Sequence, residues 1–382
     1  MPAGVAIAGA AECDLGRTGL PVLALQAQAI TRALDDAGLA LSDVDGIATN
    51  GVTRFSAVAV ADYLGITPAW TDSTFAGGSA AIMYVARAAD AIAAGHCRTV
   101  VVSFASNQRS ARSRRLGGSH EAEALETQFE APYFPLYPIS YYAMAAQRYV
   151  ERYPDGRAAM AQAAVVARQW ALRNPVAWRH GDGPLSVEDV MSSAEVSSPL
   201  RQLDCCLVTD GGGAVVVTSL ERARDLPRRP VAVLGSGEHT TNNSMTARDD
   251  LLQPGSEVSA QRAFAAAGLN LADVDVAEIY DSFTITLVLT LESLGLCPPG
   301  EAYGLLAGGY LAPGGRLPLN TTGGGLSYCH PGQLGVLLLV EAVRQLRGDA
   351  GDRQVPGAEV ALVHGTGAIF STHATVVLGT DR

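Results

Sequence analysis

The chain repeats one pattern of helix, glycine and acidic turn in each of its two halves, and this repeat restricts the fold more than any other feature. Segment 37–45 reads AGLALSDVD, and segment 267–275 reads AGLNLADVD. In both copies a helical stretch ends at the glycine, which readily forms the left-handed cap of a helix. Self-similarity over so long a period predicts a duplicated domain rather than a short-period solenoid.

A second pair of segments supports the duplication. The glycines at 77–78 precede a helical stretch over 79–94, which is followed by an apolar strand at 99–104. In the later half a glycine-rich loop is likewise followed by a helical stretch, 336–347, and then by a strand at 359–364. Alternation of strands and helices predicts an α/β fold with parallel-rich sheets covered by helices.

The boundary between the halves is expected near segment 225–229, which reads DLPRR and separates two apolar strands. We therefore predict an N-terminal half over 1–228 and a C-terminal half over 229–382. The first half also carries an insertion, about 107–199, without a counterpart in the second half. Insertions of this length are usually lids, binding loops or dimer arms.

Two features of the insertion have alternative interpretations. An aromatic run between Tyr133 and Tyr142 fits either local core or the wall of a ligand site. The arginines of segment 112–115 fit either a solvated surface or a phosphate clamp.

Composition excludes several classes of protein. A net charge of −11 argues against nucleic acid, which requires a basic surface. The six cysteines have no metal-ligand spacing, so we predict no metal site and reduced thiols. No apolar run approaches the roughly 20 residues that span a bilayer. The first strand, beginning at Val5, lacks the basic flank of a signal peptide, so we expect a cytoplasmic protein.

Segment 319–335, LNTTGGGLSYCHPGQLG, concentrates residues that can carry chemistry. Its three consecutive glycines let the backbone approach a ligand closely. Tyr328 and His330 follow on a loop before a helix, where backbone N–H groups favour developing negative charge. The alternative is a glycine-rich turn with a core histidine.

Three segments together make the chain resemble the thiolase superfamily, most nearly its sterol-carrier-protein-type thiolases. They are the glycine-rich 320–332, the segment 199–212 (PLRQLDCCLVTDGG) and the segment 280–283 (YDSF). The resemblance covers nearly the whole chain. It implies a thiolase-like five-layered αβαβα sandwich of two duplicated βαβαβαββ halves, a homodimer, and action on coenzyme A thioesters.

One departure from the thiolase pattern bears on the chemistry. Thiolases of this type carry a nucleophilic cysteine shortly before the Gly-Ser that opens the first-half helix, and Phe75 stands there in DSTFAGGS. A phenyl ring cannot carry an acyl group, so the covalent route loses its nucleophile. Ser73, Thr74 and Ser79 lie nearby, but the sequence shows no base to activate them. Cys329 fits either a surrogate nucleophile or a small packing residue.

A second departure points to another reaction. Tyr280 stands where thiolases carry Asn or His, and Tyr328 stands where they carry a non-aromatic residue. Two tyrosines and a histidine without the cysteine resemble the thiolase-like aldolases of steroid side-chain catabolism. That resemblance implies retro-aldol cleavage of a bulky β-hydroxyacyl-CoA to a ketone and a shorter acyl-CoA, with the tyrosines as the acid/base pair. It also implies a small zinc-containing OB-fold partner protein.

Retro-aldol cleavage needs a base for the β-hydroxyl, stabilisation of the thioester enolate and an acid for the α-carbon. Coenzyme A enters as part of the substrate, and no bound cofactor is expected. The predicted catalytic residues are Tyr280, Tyr328 and His330. The predicted substrate-binding residues are Gly324, Gly325, Asn320 and His364.

Two alternative functions stay open from sequence. The chain could be an acyltransferase of the acetyl-CoA acetyltransferase type with a non-standard nucleophile, or a non-catalytic acyl-CoA-binding subunit. Tyr280 also fits a packed core position at the end of a predicted strand, 276–279.

Overall fold

The computed structural model describes residues 4–113 and 124–381, which contain eleven strands and eleven α-helices. Arg114 and Arg115 of the predicted basic segment lie outside the described residues. The strands are β1 Val5–Glu12, β2 Gly46–Thr49, β3 Trp70–Asp72, β4 Thr99–Ser106, β5 Glu195–Ser197, β6 Leu200–Arg201, β7 Gly211–Ser219, β8 Val231–Thr240, β9 Val276–Ile279, β10 Val360–Gly367 and β11 Thr372–Thr380. The helices are α1 Val22–Ala37, α2 Ser56–Leu64, α3 Ala80–Ala93, α4 Ile139–Arg152, α5 Gly156–Ala171, α6 Val187–Ser192, α7 Leu220–Arg224, α8 Ser256–Ala267, α9 Thr284–Ser293, α10 Ala302–Ala307 and α11 Gly335–Arg347.

Nine of these strands form one mixed sheet in the order β3-β2-β4-β7-β1-β8-β11-β10-β9. At its middle, β1 and β8 are joined by only two residue pairs, Ala6 with Ala232 and Ile7 with Val231. Outward from this seam the two sides have the same order, because β1, β7, β4 and β2 correspond to β8, β11, β10 and β9. The predicted duplication of an α/β unit is confirmed.

Three hydrophobic clusters divide the molecule into layers. One cluster places α3 and α11 against strands of both halves. A second covers the other face of the first half with α1 and α2, and a third covers the second half with α9 and part of α8. Residues alternate along β1, so that Val5 and Ile7 face the central helices while Ala6 and Ala8 face α1. The predicted five-layered sandwich is confirmed.

The second half is one strand shorter than the predicted βαβαβαββ pattern. In the first half β3 pairs with β2 in parallel. At the matching place in the second half, a single parallel bridge joins Leu319 to Ala277. The chain then leaves the sheet at once, because the glycine-rich loop begins at the next residue. The division of the domains at 228/229 stays a prediction.

The insertion over about 107–199 is partly a covering layer of the second half. Its helices α4 and α5 pack against α9, α10 and the turn Gly324–Tyr328. Tyr141 and Tyr142 are buried, whereas Tyr133 and Phe134 are 84% and 88% exposed. The aromatic run is therefore core at one end and surface at the other. Among the described residues, no helix combines the length and apolar character needed to cross a membrane.

Glycines allow the outer helices to approach the sheet closely in both halves. A Cβ atom built on Gly9 in β1 would lie 2.1 Å from the carbonyl oxygen of Ala33 in α1. A Cβ atom on Gly235 in β8 would lie 2.1 Å from the carbonyl oxygen of Ala263 in α8. The same strand–helix contact is thus made twice, once in each half.

We expect Gly9→Ala and Gly235→Ala each to lower the free energy of unfolding by about 1–3 kcal/mol, because the added methyl group meets helix backbone. The matched control is Gly304→Ala in α10, where a Cβ atom would meet nothing within 4 Å. That change should stabilise the protein by about 0.5–1 kcal/mol, since it removes a glycine from a helix. Urea unfolding followed by circular dichroism measures all three, and equal midpoints would contradict the packing described.

Candidate active site

A cavity of about 850 Å³ opens between the two halves and the insertion. Its lining includes Phe75–Gly78 before α3, Tyr137 and Tyr142 of the insertion, and Tyr280 and His330 of the second half. Within the described part of the chain, the lining contains no Asp, Glu, Lys or Arg side chain. An uncharged wall of aromatic, hydroxyl and amide groups suits a largely apolar ligand that carries a few polar atoms.

Tyr280 and His330 form a hydrogen-bonded pair in this cavity. The Tyr280 hydroxyl lies 3.0 Å from His330 Nε2 and 3.4 Å from the carbonyl oxygen of Gly332. The N–H group of Gly332 donates to His330 Nδ1 at 3.4 Å. A neutral imidazole that accepts at Nδ1 carries its hydrogen on Nε2, where it can donate to the phenol oxygen. The two side chains are only 5% and 2% exposed, so the pair is largely shielded from solvent.

The end of β9 and a glycine place Tyr280. Its backbone N–H group donates to the carbonyl oxygen of His364 in the neighbouring β10 at 3.0 Å. A Cβ atom on Gly78 would lie 2.2 Å from Tyr280 Cε2. The ring can therefore lie against the turn before α3 only because residue 78 has no side chain.

Two polar side chains that sequence reasoning did not identify hold the backbone of His330. The hydroxyl of Thr209 accepts the His330 N–H group at 3.0 Å, and Gln108 Nε2 donates to the His330 carbonyl oxygen at 2.8 Å. Gln108 follows the carboxyl end of β4, the sheet edge at which α/β proteins usually bind ligands. This position is a signal that could have identified it.

The glycine loop is held by protein side chains, and the substrate-binding role predicted for Gly324 and Gly325 stays a prediction. The N–H group of Gly325 donates to Asp281 Oδ1 at 2.7 Å, and that of Gly324 donates to the Thr322 hydroxyl at 3.2 Å. Neither glycine lines the cavity. Their N–H groups are engaged by protein side chains, Asp281 among them. Burial raises the pKa of the Asp281 carboxyl to about 7.

Asn320 also lies outside the cavity lining. Its side-chain oxygen accepts the N–H group of Ile279 at 2.7 Å, and its amide donates to the Ile279 carbonyl oxygen at 2.8 Å. The side chain therefore pairs with the last residue of β9 as a neighbouring strand would. It fixes the start of the loop, and the substrate-binding role of Asn320 stays a prediction.

The structure does not place Tyr328 in the cavity lining. Tyr328 ends a π-helical turn, Gly324–Tyr328, and its side chain belongs to the cluster between the sheet and α11. Burial and the nearby Glu12 carboxylate raise its pKa well above the ordinary value. A phenol in this position keeps its proton, so the geometry gives no support to the acid/base role predicted for it.

His364 is likewise outside the cavity lining, in a buried polar layer between β10–β11 and α8. Its Nδ1 lies 2.8 Å from the Thr375 hydroxyl, and its ring stacks on His373 at 5.8 Å between centroids. Burial lowers the pKa of His373 to about 4 and that of His364 well below its ordinary value. The backbone of His364 contacts a site residue, because its carbonyl oxygen accepts the Tyr280 N–H group.

The buried histidine pair predicts a pH dependence of stability. Because the folded pKa of His373 is lowered, the unfolded chain binds a proton below about pH 6.5 that the folded chain does not. Stability is therefore lost as the pH falls from about 6.5 towards 4, and His373 accounts for about 2 kcal/mol at pH 5.

The raised pKa of Asp281 acts in the opposite sense, so the informative quantity is a difference between variants. Between pH 7 and pH 5, the wild type should lose about 2 kcal/mol more unfolding free energy than His373→Gln, as measured by chemical unfolding. Parallel pH profiles for the two proteins would contradict this expectation.

The Cys329 thiol is not activated as a nucleophile. Burial raises the pKa of the Cys329 thiol to about 12, and its Sγ lies 3.1 Å from the Thr209 hydroxyl. Phe75 is 74% exposed at the cavity. Cys206 lines the cavity and is half-buried. Among the described residues, no group of three or more His, Cys, Asp or Glu side chains is arranged to hold a metal ion.

Comparison with known proteins agrees with this architecture. The family model described as "Thiolase C-terminal domain-like" matches residues 237–380. A steroid side-chain-cleaving aldolase of Thermomonospora curvata is 36% identical, with 100% of this chain and 99% of that protein covered. The 17-hydroxy-3-oxo-4-pregnene-20-carboxyl-CoA lyase of Mycobacterium tuberculosis is also 36% identical, covering 95% and 96%.

A solved structure, the Ltp2-ChsH2(DUF35) aldolase, matches with a TM-score of 0.90 at 34% identity and covers 100% of this chain and 99% of that one. Fold, cavity and relatives together define a carbon–carbon lyase built on the thiolase fold. The chain belongs to the thiolase-like side-chain-cleaving aldolases of the thiolase superfamily. The family and the reaction class predicted from the sequence are confirmed.

Proposed function

We propose that the protein cleaves a bulky β-hydroxyacyl-CoA, with a steroid or similar lipid ring system, by a retro-aldol reaction at the Tyr280–His330 pair. The products are a ketone and a shorter acyl-CoA. The observation that carries the proposal is the 3.0 Å contact between the Tyr280 hydroxyl and His330 Nε2 on the wall of the cavity. It supplies a proton acceptor and a proton donor in one buried unit.

The reaction needs one proton to be moved and no covalent intermediate. The pair takes the proton of the β-hydroxyl group as the bond between the α- and β-carbons breaks. The carbonyl of the ketone forms at the β-carbon, and the bonding electrons pass to the thioester enolate. The pair then returns a proton to the α-carbon, so that the enzyme ends in its starting state. With the imidazole N–H donated to the phenol oxygen, the form of the pair that accepts the β-hydroxyl proton is the tyrosinate, which this N–H stabilises and which is regenerated when the α-carbon is protonated.

The cavity also supports the substrate class. Tyr142 and Phe283 contact each other at 4.6 Å between ring centroids, and both line the cavity. The described part of the wall, which is aromatic and uncharged, favours the flat face of a fused-ring lipid over a charged ligand. The nucleotide of coenzyme A, which is anionic, would then lie outside this chamber. One similar protein is named a steroid side-chain-cleaving aldolase, and another is named a lyase of a pregnene-20-carboxyl-CoA.

An acyltransferase that uses Cys206 is the second candidate, because this thiol lines the same cavity. The backbone N–H of Cys206 donates to the Ser282 carbonyl oxygen at 2.9 Å. Two of the similar full-length proteins, however, are named an aldolase and a lyase. The Tyr280–His330 pair therefore carries the preferred proposal. Substitution of Cys206 distinguishes the acyltransferase from the aldolase.

We expect Tyr280→Phe to lower kcat by about 10²- to 10⁴-fold while KM changes little, because the ring stays and only the proton-carrying group is lost. Removal of the imidazole in His330→Ala should give a deficit of similar size. The matched control is Tyr328→Phe, which deletes a phenol of the same loop outside the cavity and should retain kcat within about twofold. Steady-state assays with β-hydroxyacyl-CoA esters measure these effects.

The assays would overturn the proposal if Tyr280→Phe cleaved at the wild-type rate. Cys206→Ser should also remain active. A complete loss of activity in that variant, together with an acyl group captured on Cys206 in the wild type, would establish the acyltransferase instead.

We further propose a homodimer that binds a small zinc-containing OB-fold protein, in the cytoplasm. The similar solved structure bears the names of two proteins, Ltp2 and ChsH2(DUF35), which supports a heteromeric assembly. Exposed Phe129, Tyr133 and Phe134 offer apolar area for such contacts. No metal ligands for the partner's zinc are required of this chain.

Light scattering at micromolar concentration should give twice the chain mass of 39.6 kDa for the isolated protein. The expectation follows from the 48% hydrophobic composition together with this exposed apolar area. A stable and active monomer would contradict it.

A further inference from the structure

The residue after Tyr280 links the two members of the proposed catalytic pair by a second route. Asp281 accepts the N–H group of Gly325 at 2.7 Å and that of Leu326 at 3.3 Å. A Cβ atom on Gly325 would lie 2.9 Å from His330 Cδ2 and 3.1 Å from Asp281 Oδ1. The Asp281 carboxylate and the His330 imidazole therefore both pack on Gly325. Because His330 also contacts the Tyr280 hydroxyl, the contacts connect Tyr280, Asp281, Gly325 and His330 in a closed circuit.

The other end of the glycine loop is tied to the residues before Tyr280. Asn320 pairs with both backbone groups of Ile279. Thr321 approaches Glu278 Oε1 with its N–H group at 3.1 Å and with its hydroxyl at 2.9 Å. The residues on both sides of Tyr280 thus hold the loop that leads to His330, so the loop cannot shift relative to the tyrosine without breaking hydrogen bonds.

Asp281 is placed to act through the loop and not on the substrate. Its side chain is fully buried and does not line the cavity. Burying a carboxyl group costs free energy unless it is hydrogen-bonded. The hydrogen bonds that offset this cost are those from the consecutive N–H groups of Gly325 and Leu326 to the two carboxyl oxygens. An apolar side chain of similar size could not accept them. The turn at Gly325, and with it the surface on which His330 rests, depends on this carboxyl group.

We propose that Asp281 is a positioning residue, which holds His330 at hydrogen-bonding distance from Tyr280 by fixing the backbone of Gly325 and Leu326. The inference rests on the proposed function of the Tyr280–His330 pair. It assigns to Asp281 a part in turnover that is exerted through His330.

Two variants test this from opposite sides. Asp281→Asn keeps the shape of the side chain but replaces one accepting oxygen with an NH₂ group. That group cannot accept the N–H group of Gly325 or Leu326 that faces it. Gly325→Ala keeps the carboxylate but places a methyl group against His330 Cδ2. The matched control is Asp275→Asn at the other end of β9, where Asp275 Oδ2 accepts two consecutive N–H groups, those of Glu359 at 2.8 Å and Val360 at 3.0 Å.

We expect Asp281→Asn and Gly325→Ala to lower kcat on the order of 10- to 100-fold, because a small misplacement of a catalytic group is costly. KM should stay within about threefold, since neither residue lines the cavity. The ¹⁵N NMR signals of His330, identified with His330→Ala, should shift in both variants. In Asp275→Asn, kcat and the His330 signals should be unchanged even where the melting temperature falls by a similar amount.

Wild-type kcat and unshifted His330 signals in both test variants would overturn the proposal, as would an equal loss of kcat in Asp275→Asn. If Asp281→Asn does not fold, Gly325→Ala decides the question. The NMR signals are measured without substrate. Wild-type inactivity on every β-hydroxyacyl-CoA would therefore refute the proposed function, whereas unshifted signals would refute the positioning role.

Discussion

The hydrogen bond between Tyr280 and His330 depends on close approaches that only glycine permits. The tyrosine ring lies where a Cβ atom on Gly78 would be, and the imidazole lies 2.9 Å from where one on Gly325 would be. These glycines belong to different halves of the chain. The contact therefore requires the halves to be held together to within a few tenths of an ångström, a precision that the surrounding core supplies because α3 and α11 pack on strands of both halves.

Duplication explains why the site lies where it does. Each half has a glycine-rich turn before its central helix, and the seam between β1 and β8 places the two turns side by side. A Cβ atom on Gly335 would lie only 2.5 Å from the carbonyl oxygen of Gly78. The two turns have diverged: the first presents Phe75 and the second presents His330. Loss of a nucleophile in one turn and retention of an imidazole in the other suit proton transfer rather than acyl transfer.

The sequence predicted elements whose signals are local. Strand 276–279 has the predicted bounds, and α11 ends at the predicted residue because Gly348 adopts a left-handed conformation with φ of 83°. Side-chain direction at the glycine loop was not predictable. Tyr328 and His330 are two residues apart, and a π-helical turn, which sequence periodicity does not reveal, sends the first into the core. The engagement of Asp281 with Gly325 was not predictable either, because it joins residues remote in sequence.

Cleavage in D₂O without free coenzyme A, followed by mass spectrometry, tests the central claim most directly. Retro-aldol chemistry at the Tyr280–His330 pair predicts that a β-hydroxyacyl-CoA gives a ketone and a shorter acyl-CoA with one deuterium on its α-carbon. The deuterium is expected because the enolate takes its proton from a pair that exchanges with solvent. Cleavage that required added coenzyme A and a β-ketoacyl substrate, with an acyl group bound to the protein, would contradict the account.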